Sequence, residues 1–220
     1  KSVGTILENV VMKDGKPDFD DGSVTENGRA SYSTDVVPNS HIMGYVNTHP
    51  KNIVMLTCDA FGVLPPVMKL STEEAVQQFK LGYTAKVAGT EKGVKEPVPT
   101  FSACFGQPFM PLKVDTYANL LKNKIEEHDV NCWLINTGWT GGGYGKGERI
   151  SLEITRKIIN LILTGEFSKV MFTKHRHTGF SIPLLNYASN NVMFPEQGWA
   201  DIEEYKKTAS DLIKKLKPEQ

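Results

Sequence analysis

Residues 136–155, NTGWTGGGYGKGERISLEIT, concentrate the residue types that handle phosphate. An apolar run at 132–135 leads into a series of glycines, and a helical periodicity starts at Ser151, so the order reads strand, glycine loop, helix. Glycine lets a backbone turn through positive φ and approach a ligand closely, and a helix N-terminus presents unpaired N–H groups to an anion. The chemistry implied is nucleotide binding. A Gly-rich link between strand and helix is most often only a surface loop, and both readings stand at this point. The loop is not a Walker A motif. Aligning Gly145-Lys146 with that motif puts Thr140 at the first glycine and Gly147 where a hydroxyl would reach a metal. In the nucleotide reading Arg149 and Thr155 touch another part of the ligand.

Other reactive side chains carry weaker patterns. Arg29 follows Asn27-Gly28 in a polar stretch read as a loop, where its planar fork suits a carboxylate or phosphate. Asp18, Asp20 and Asp21 lack the spacing and the terminal Glu of an EF-hand, so a solvated turn is expected there. His175 and His177, two apart in KHRHTG, have no third ligand nearby and read as a solvated basic loop rather than a metal site. No Ser/His/Asp set, HExxH or C-x-x-C supports hydrolase or zinc chemistry.

Composition sets the class. The 220 residues are 40% hydrophobic and 23% charged, as in one ordinary globular domain or a compact piece of a larger protein. Lys+Arg 25 balances Asp+Glu 25, so no broad field recruits nucleic acid or an anionic membrane. No apolar run approaches the roughly 20 residues that cross a bilayer. Cys58, Cys104 and Cys132 are odd in number, widely spaced and set among apolar or small residues, which predicts buried reduced thiols.

These residues need a scaffold, and the periodicities supply one. Residues 6–12 read as a strand before the hairpin-type turn Asp14-Gly15. Residues 52–56 read as a strand buried on both faces, with Asp59 at its end and FGVLPP as a sharp break. Ser71 and Glu74 have capping-box spacing, and Val76, Phe79, Tyr83 and Val87 predict a helix that runs to a stop at Gly89. A short strand is expected at 100–104, and Asp115 is expected to cap a second helix with Tyr117, Leu120, Leu121 and Ile125 on its apolar face. A third helix is capped by Ser151 and ended by Gly165, a short strand follows at 170–172, and residues 199–216 form a terminal amphipathic helix. The result is a single α/β unit, with strands and helices alternating from residue 50 onward.

Several segments together carry a resemblance. DFDDGSVTENGRASY, LTCDAFGVLPPV, GYTAKVAGTEKG, PTFSACFGQPF and LINTGW with GERISLEITR resemble the ATP-dependent phosphoenolpyruvate carboxykinases, in that family's order, from residue 6 to about 160. The last sixty residues match more loosely.

The resemblance implies an α/β fold with a mixed sheet and flanking helices, the whole chain being the C-terminal nucleotide-binding part of such an enzyme. It implies a cytoplasmic, gluconeogenic activity that converts oxaloacetate and ATP to phosphoenolpyruvate, ADP and CO2. The arginine of TEN-x-R, Arg29, would contact substrate and nucleotide. Phe109, ending FSACFG-x-x-F, would line the substrate pocket. Arg149, Ile150 and Thr155 are similar to the adenine-nucleotide contacts, and Thr90 to a loop threonine near the nucleotide. The loop TGGGYGKGE is longer than in the usual family pattern. The family's phosphate loop and its ligands for Mn2+ and Mg2+ belong to the portion preceding this segment, so no metal ligand is expected here. These 220 residues alone are therefore expected to be inactive, since phosphoryl transfer needs positioned phosphates and a divalent metal. A non-catalytic ATP-binding module is the alternative, and a purely structural domain a third reading.

Overall fold

The computed structural model describes residues 4–25, 28–38, 40–41, 45–87, 93–185 and 192–217. Their contacts fall into two compact units, Lys1–His49 with Lys86–Val98, and Pro50–Ala85 with Pro99–Gln220.

The first unit is built from short strands, Ile6–Glu8 (β1), Val11–Lys13 (β2), Lys16–Asp18 (β3) and Arg29–Ser31 (β4). The expected strand at 6–12 is broken at Asn9, whose φ of 58° takes the chain out of extended conformation. β2 and β3 form the hairpin that Asp14-Gly15 predicts, with Lys13 opposite Lys16, and Asp14 and Gly15 both at positive φ. β1 pairs antiparallel with β4 and sets Glu8 opposite Arg29. Arg29 is thus on a strand, not in a loop. The aspartates behave as turn formers: Asp18 accepts from the Asp20 N–H at 3.1 Å and Asp21 from the Ser23 N–H at 2.8 Å.

The second unit starts with Asn52–Thr57 (β5) and Val67–Leu70 (β6) and continues through the helix Thr72–Leu81 (α1); Tyr83–Lys86 (β7) then pairs with Val98–Phe101 (β8), each strand having one end residue, Lys86 and Val98, in the first unit. Next come the helix Val114–His128 (α2), the strand Asn131–Asn136 (β9), the two-residue strands Trp139–Thr140 (β10) and Glu148–Arg149 (β11), and the helix Leu152–Leu163 (α3). Phe172–Lys174 (β12), Ser181–Pro183 (β13) and the helix Ile202–Leu216 (α4) complete it.

Five strands make a mixed sheet in the order β12-β13-β6-β9-β5, with β5 parallel to β9 and the other neighbours antiparallel. Along β9 the side chains alternate between two cores. Cys132 and Leu134 pack with Met68, Ile125, Tyr205 and Leu212, on the side of α1, α2 and α4. Trp133 and Ile135 pack with Val67, Ile158 and Ile162, on the side of α3. Helices therefore cover both faces, which is why β9 reads as a continuous apolar run. β5 lies at the sheet edge, and Leu56 is 55% exposed, so the expected burial on both faces fails there.

Local chemistry explains most boundaries. The Ser71/Glu74 capping box forms as read, but α1 stops at Gly82, whose left-handed φ of 54° is a helix C-cap. Tyr83 therefore enters a strand, and the helix does not extend to Val87 or Gly89. β6, the antiparallel centre of the sheet, follows Pro65-Pro66 directly and is absent from the periodicity reading. Lys113, not Asp115, is the N-cap residue of α2; Asp115 lies in the first turn and pairs with Lys80 at 2.7 Å, while Leu120 faces solvent. The strand expected at 100–104 is β8, two residues earlier. The strand expected at 170–172 is shifted to β12. Ser151 caps α3 through the Ile154 N–H, and Asp201 caps α4 through the N–H groups of Glu203 and Glu204. All three cysteines are free and buried.

Candidate nucleotide site at the ends of the parallel strands

The parallel neighbours β5 and β9 end side by side at Thr57 and Asn136. In open α/β sheets ligands bind beyond the carboxyl ends of such strands. The loops leaving these two ends, 58–66 and 137–150, are tied together by their own side chains.

Asp59 organises the first loop. Its carboxylate is fully buried and accepts from the N–H groups of Phe61 at 2.9 Å, Val63 at 2.7 Å and Leu64 at 2.8 Å, and from the Tyr83 hydroxyl at 3.1 Å. Burial pushes the Asp59 carboxyl up, against the pull of those four hydrogen bonds. Burial and the neighbouring Asp59 charge push the Tyr83 phenol far up, so it remains a donor. Asn136 links the loops. Its Oδ1 accepts from the N–H groups of Asp59 at 3.0 Å and Gly138 at 2.8 Å, and its Nδ2 donates to the Leu64 carbonyl at 2.8 Å.

The glycine loop is a β-hairpin. β10 and β11 pair antiparallel, Trp139 opposite Arg149. Its amides turn inward: Trp139 N–H donates to Asp59 O, Tyr144 N–H to Ala60 O, and Lys146 and Gly147 N–H to Gly143 O. These four donors are used within the protein, so they are not available to a phosphate. The glycines serve close backbone packing instead. A Cβ on Gly62, at φ +73°, would lie 2.0 Å from Gly142 O, and one on Gly138 would lie 2.2 Å from Asp59 O.

The hairpin carries two exposed cations: Lys146, paired with Glu204 at 2.7 Å, and Arg149. Arg149 Nε donates to Thr137 O at 3.2 Å and its guanidinium lies over the Trp139 ring at 5.5 Å, which fixes the plane of the fork. Ile150 is buried, with its N–H donating to Gly138 O at 2.8 Å, so its side chain locks the hairpin to the body. Thr155 sits half-buried in the first turn of α3, its hydroxyl donating to Ser151 O at 3.2 Å. Arg149 and Ile150 are thereby held at the end of the sheet where β9 stops, and Thr155 lies in the first turn of the helix that follows.

Phe109 closes a 3-10 turn, Gln107–Phe109, and is 83% exposed. An aromatic so exposed is available to a ligand. Arg29 belongs to the other unit, where it pairs with Glu8 at 3.4 Å and lines a hollow of about 440 Å³ together with Asn9, Asp20 and Thr25. Thr90 lies outside the described residues.

Sequence reasoning missed the roles of Tyr83 and of the KHRHTG turn. Tyr83 was readable from Gly82, a helix stop. His175 is not solvated but fully buried, 3.0 Å from Glu196, a partnership no local pattern announces. Among the described residues no group of three or more His, Cys, Asp or Glu side chains could hold a metal ion, and no helix is long and apolar enough to cross a membrane.

Comparison with known proteins gives this geometry its context. The family model described as phosphoenolpyruvate carboxykinase matches residues 1–188, beyond the segment ending near 160 that the motifs mark. The chain is 50% identical over 212 residues to phosphoenolpyruvate carboxykinase (ATP) of Rhizobium etli, covering 96% of this chain and 39% of the relative. It is 48% identical over 215 residues to the protein of the same name from Allorhizobium ampelinum, covering 97% and 40%. The protein of that name from Bradyrhizobium sp. is 49% identical over 214 residues, covering 96% and 40%. The chain thus spans about two fifths of the length of the curated relatives it matches. It belongs to the ATP-dependent phosphoenolpyruvate carboxykinase family.

Proposed function

We propose that this chain is the C-terminal, nucleotide-binding part of an ATP-dependent phosphoenolpyruvate carboxykinase, a cytoplasmic, gluconeogenic enzyme that converts oxaloacetate and ATP to phosphoenolpyruvate, ADP and CO2. The observation that carries the reading is Arg149, held by Thr137 O and the Trp139 ring at the carboxyl ends of two parallel strands. The names of the relatives supply phosphoenolpyruvate and ATP, and the family resemblance supplies oxaloacetate.

In this reading Arg149, Ile150 and Thr155 bind ATP. The guanidinium gives a fixed cation, the first turn of α3 gives a hydroxyl, and Ile150 keeps the hairpin seated. Thr90 would be a further nucleotide contact. Oxaloacetate loses CO2 by breaking a C–C bond, whose electron pair becomes an enolate. The enolate oxygen then bonds to the γ-phosphorus as the bond to ADP breaks. Arg29 would contact substrate and nucleotide and neutralise charge on the transferring phosphoryl group. Phe109 would shield the enolate from water, whose protons would otherwise quench it. Mn2+ and Mg2+ would supply charge neutralisation; the family resemblance puts their ligands in the portion preceding this segment, so the reading assigns this chain no metal ligand. For the same reason the 220 residues alone are expected to give no turnover.

The test is ATP titration of the protein carrying this chain. Arg149→Ala removes a charge-assisted contact and is expected to weaken ATP about tenfold, with the fold intact by circular dichroism. Unchanged affinity would remove this end of the sheet as the nucleotide site.

A further inference from the structure

His175 and Glu196 lie outside the residues assigned above, yet both are withdrawn from solvent. The His175 ring is wholly buried. Its Nδ1 accepts from the Thr178 N–H at 3.3 Å and meets the Thr178 hydroxyl at 2.9 Å, which leaves the proton on Nε2, 3.0 Å from Glu196 Oε2. Phe180 N–H in turn donates to Thr178 Oγ at 3.4 Å. The histidine also exchanges backbone hydrogen bonds with the β12–β13 hairpin, His175 N–H to Phe180 O and Gly179 N–H to His175 O, both at 2.8 Å. It is a rigid post rising from the sheet.

Glu196 belongs to a 3-10 turn, Pro195–Gly198, that leans on the glycine hairpin. A Cβ on Gly198 would lie 2.9 Å from Gly141 Cα, and the Trp199 indole N–H donates to Gly62 O at 3.0 Å. Gly62 in turn fits against Gly142. Gly141 and Gly142 are therefore gripped between two backbone segments, one of them secured to the sheet by Glu196. The cleft between the hairpin and this turn, about 520 Å³, has Thr140, Lys146 and Glu148 on one wall and Phe194, Gln197 and Gly198 on the other.

We propose that His175 and Glu196 are positioning residues for the glycine hairpin, holding Pro195–Gly198 at the distance that keeps Gly141–Gly147 in register with Arg149. Its bearing on ATP rests on the nucleotide reading above; the positioning itself does not. A polar pair with one partner fully buried is a poor device for stability alone, because desolvation consumes most of its attraction, whereas it defines one geometry sharply. Buried hydrophobic contact would have secured the turn without fixing its register.

Hydrogen exchange on the protein carrying this chain tests it. The protected amides of Tyr144, Lys146 and Gly147 report on the hairpin, and those of Leu134 and Ile158 on the core. Glu196→Ala is expected to speed exchange at the three hairpin amides at least tenfold while the two core amides stay within twofold. Glu196→Gln, whose carbonyl still accepts from Nε2–H, is expected to restore protection. ATP should bind several-fold more weakly to Glu196→Ala and near normally to Glu196→Gln. Hairpin exchange unchanged in Glu196→Ala, or accelerated only together with the core, would overturn the proposal. So would faster hairpin exchange with undiminished ATP affinity, if Arg149→Ala in the same assay does weaken ATP. If hairpin exchange rises and neither substitution affects ATP, the positioning role stands and the nucleotide reading fails.

Discussion

The backbone N–H of Asp59 donates to Asn136 Oδ1 at 3.0 Å, joining the carboxyl ends of two parallel strands through one side chain. Asn136 is fully buried and uses both ends of its amide, so the two loops above the sheet share one hydrogen-bond network. Replacing Asp59 by Ala would leave the buried Val63 and Leu64 N–H groups, the partly buried Phe61 N–H and the Tyr83 hydroxyl without their acceptor. The expected cost is about 3 kcal/mol or more. Urea unfolding checks it, and a loss below 1 kcal/mol would show that the loop finds other acceptors.

Gly62→Ala should be destabilising by about 2–4 kcal/mol, since it combines left-handed backbone strain with a collision against Gly142. The Cβ would fall 2.0 Å from Gly142 O, and backbone on both sides leaves no flexible atom to yield. Gly145→Ala provides the contrast: its φ is +82° but nothing lies within 4 Å of the added Cβ. Strain alone, about 1 kcal/mol, is expected there. Thermal melts of the two variants separate the contributions.

Phe109→Ala should change stability by less than about 0.5 kcal/mol, because the ring is 83% exposed and little packing is lost. If the ring walls the substrate pocket, kcat/KM for oxaloacetate should nonetheless fall at least tenfold in the protein carrying this chain. Equal activity in the two proteins would free Phe109 from the mechanism.

Acid should weaken the fold around Glu196. Burial opposes its charge, but the His175 hydrogen bond, its own backbone N–H and the two nearby imidazoles outweigh burial and hold the carboxyl below its usual range. A depressed folded pKa contributes stability that is present above the unfolded value of about 4.3 and is lost as pH falls through the folded one. His177 acts in the same direction: burial, ahead of the charges around it, disfavours its imidazolium, so the unfolded chain takes up that proton first as pH drops below about 6.5. Urea midpoints of the wild type and of Glu196→Gln should therefore converge as pH falls below about 4.3, the unfolded carboxylate value, by about the contribution of one carboxylate. A gap that stays constant would show that the Glu196 charge is not linked to folding.

The sequence by itself determined the elements whose signals are local. The Ser71/Glu74 box, the Ser151 cap, the Asp14-Gly15 turn and the apolar run of β9 all stand as read, because caps, turns and period-2 alternation depend on residues a few positions apart. Its ordered motifs also determined the family. Tertiary structure decided what depends on partners far along the chain. Gly82 ends α1 locally, but only the fold shows that Tyr83 then enters a strand, where its hydroxyl reaches Asp59, 24 residues away. The glycine loop reads either as a phosphate loop or as a surface loop, and only the fold shows that the amides of Trp139, Tyr144, Lys146 and Gly147 bond to Asp59, Ala60 and Gly143, since backbone groups brought close together satisfy each other. His175 looked solvated in a run of polar residues, and is buried because Glu196, 21 positions on, offers the acceptor that makes burial affordable. Charge and polarity fix what a side chain must have around it, and only the folded chain decides whether water or a distant residue provides it.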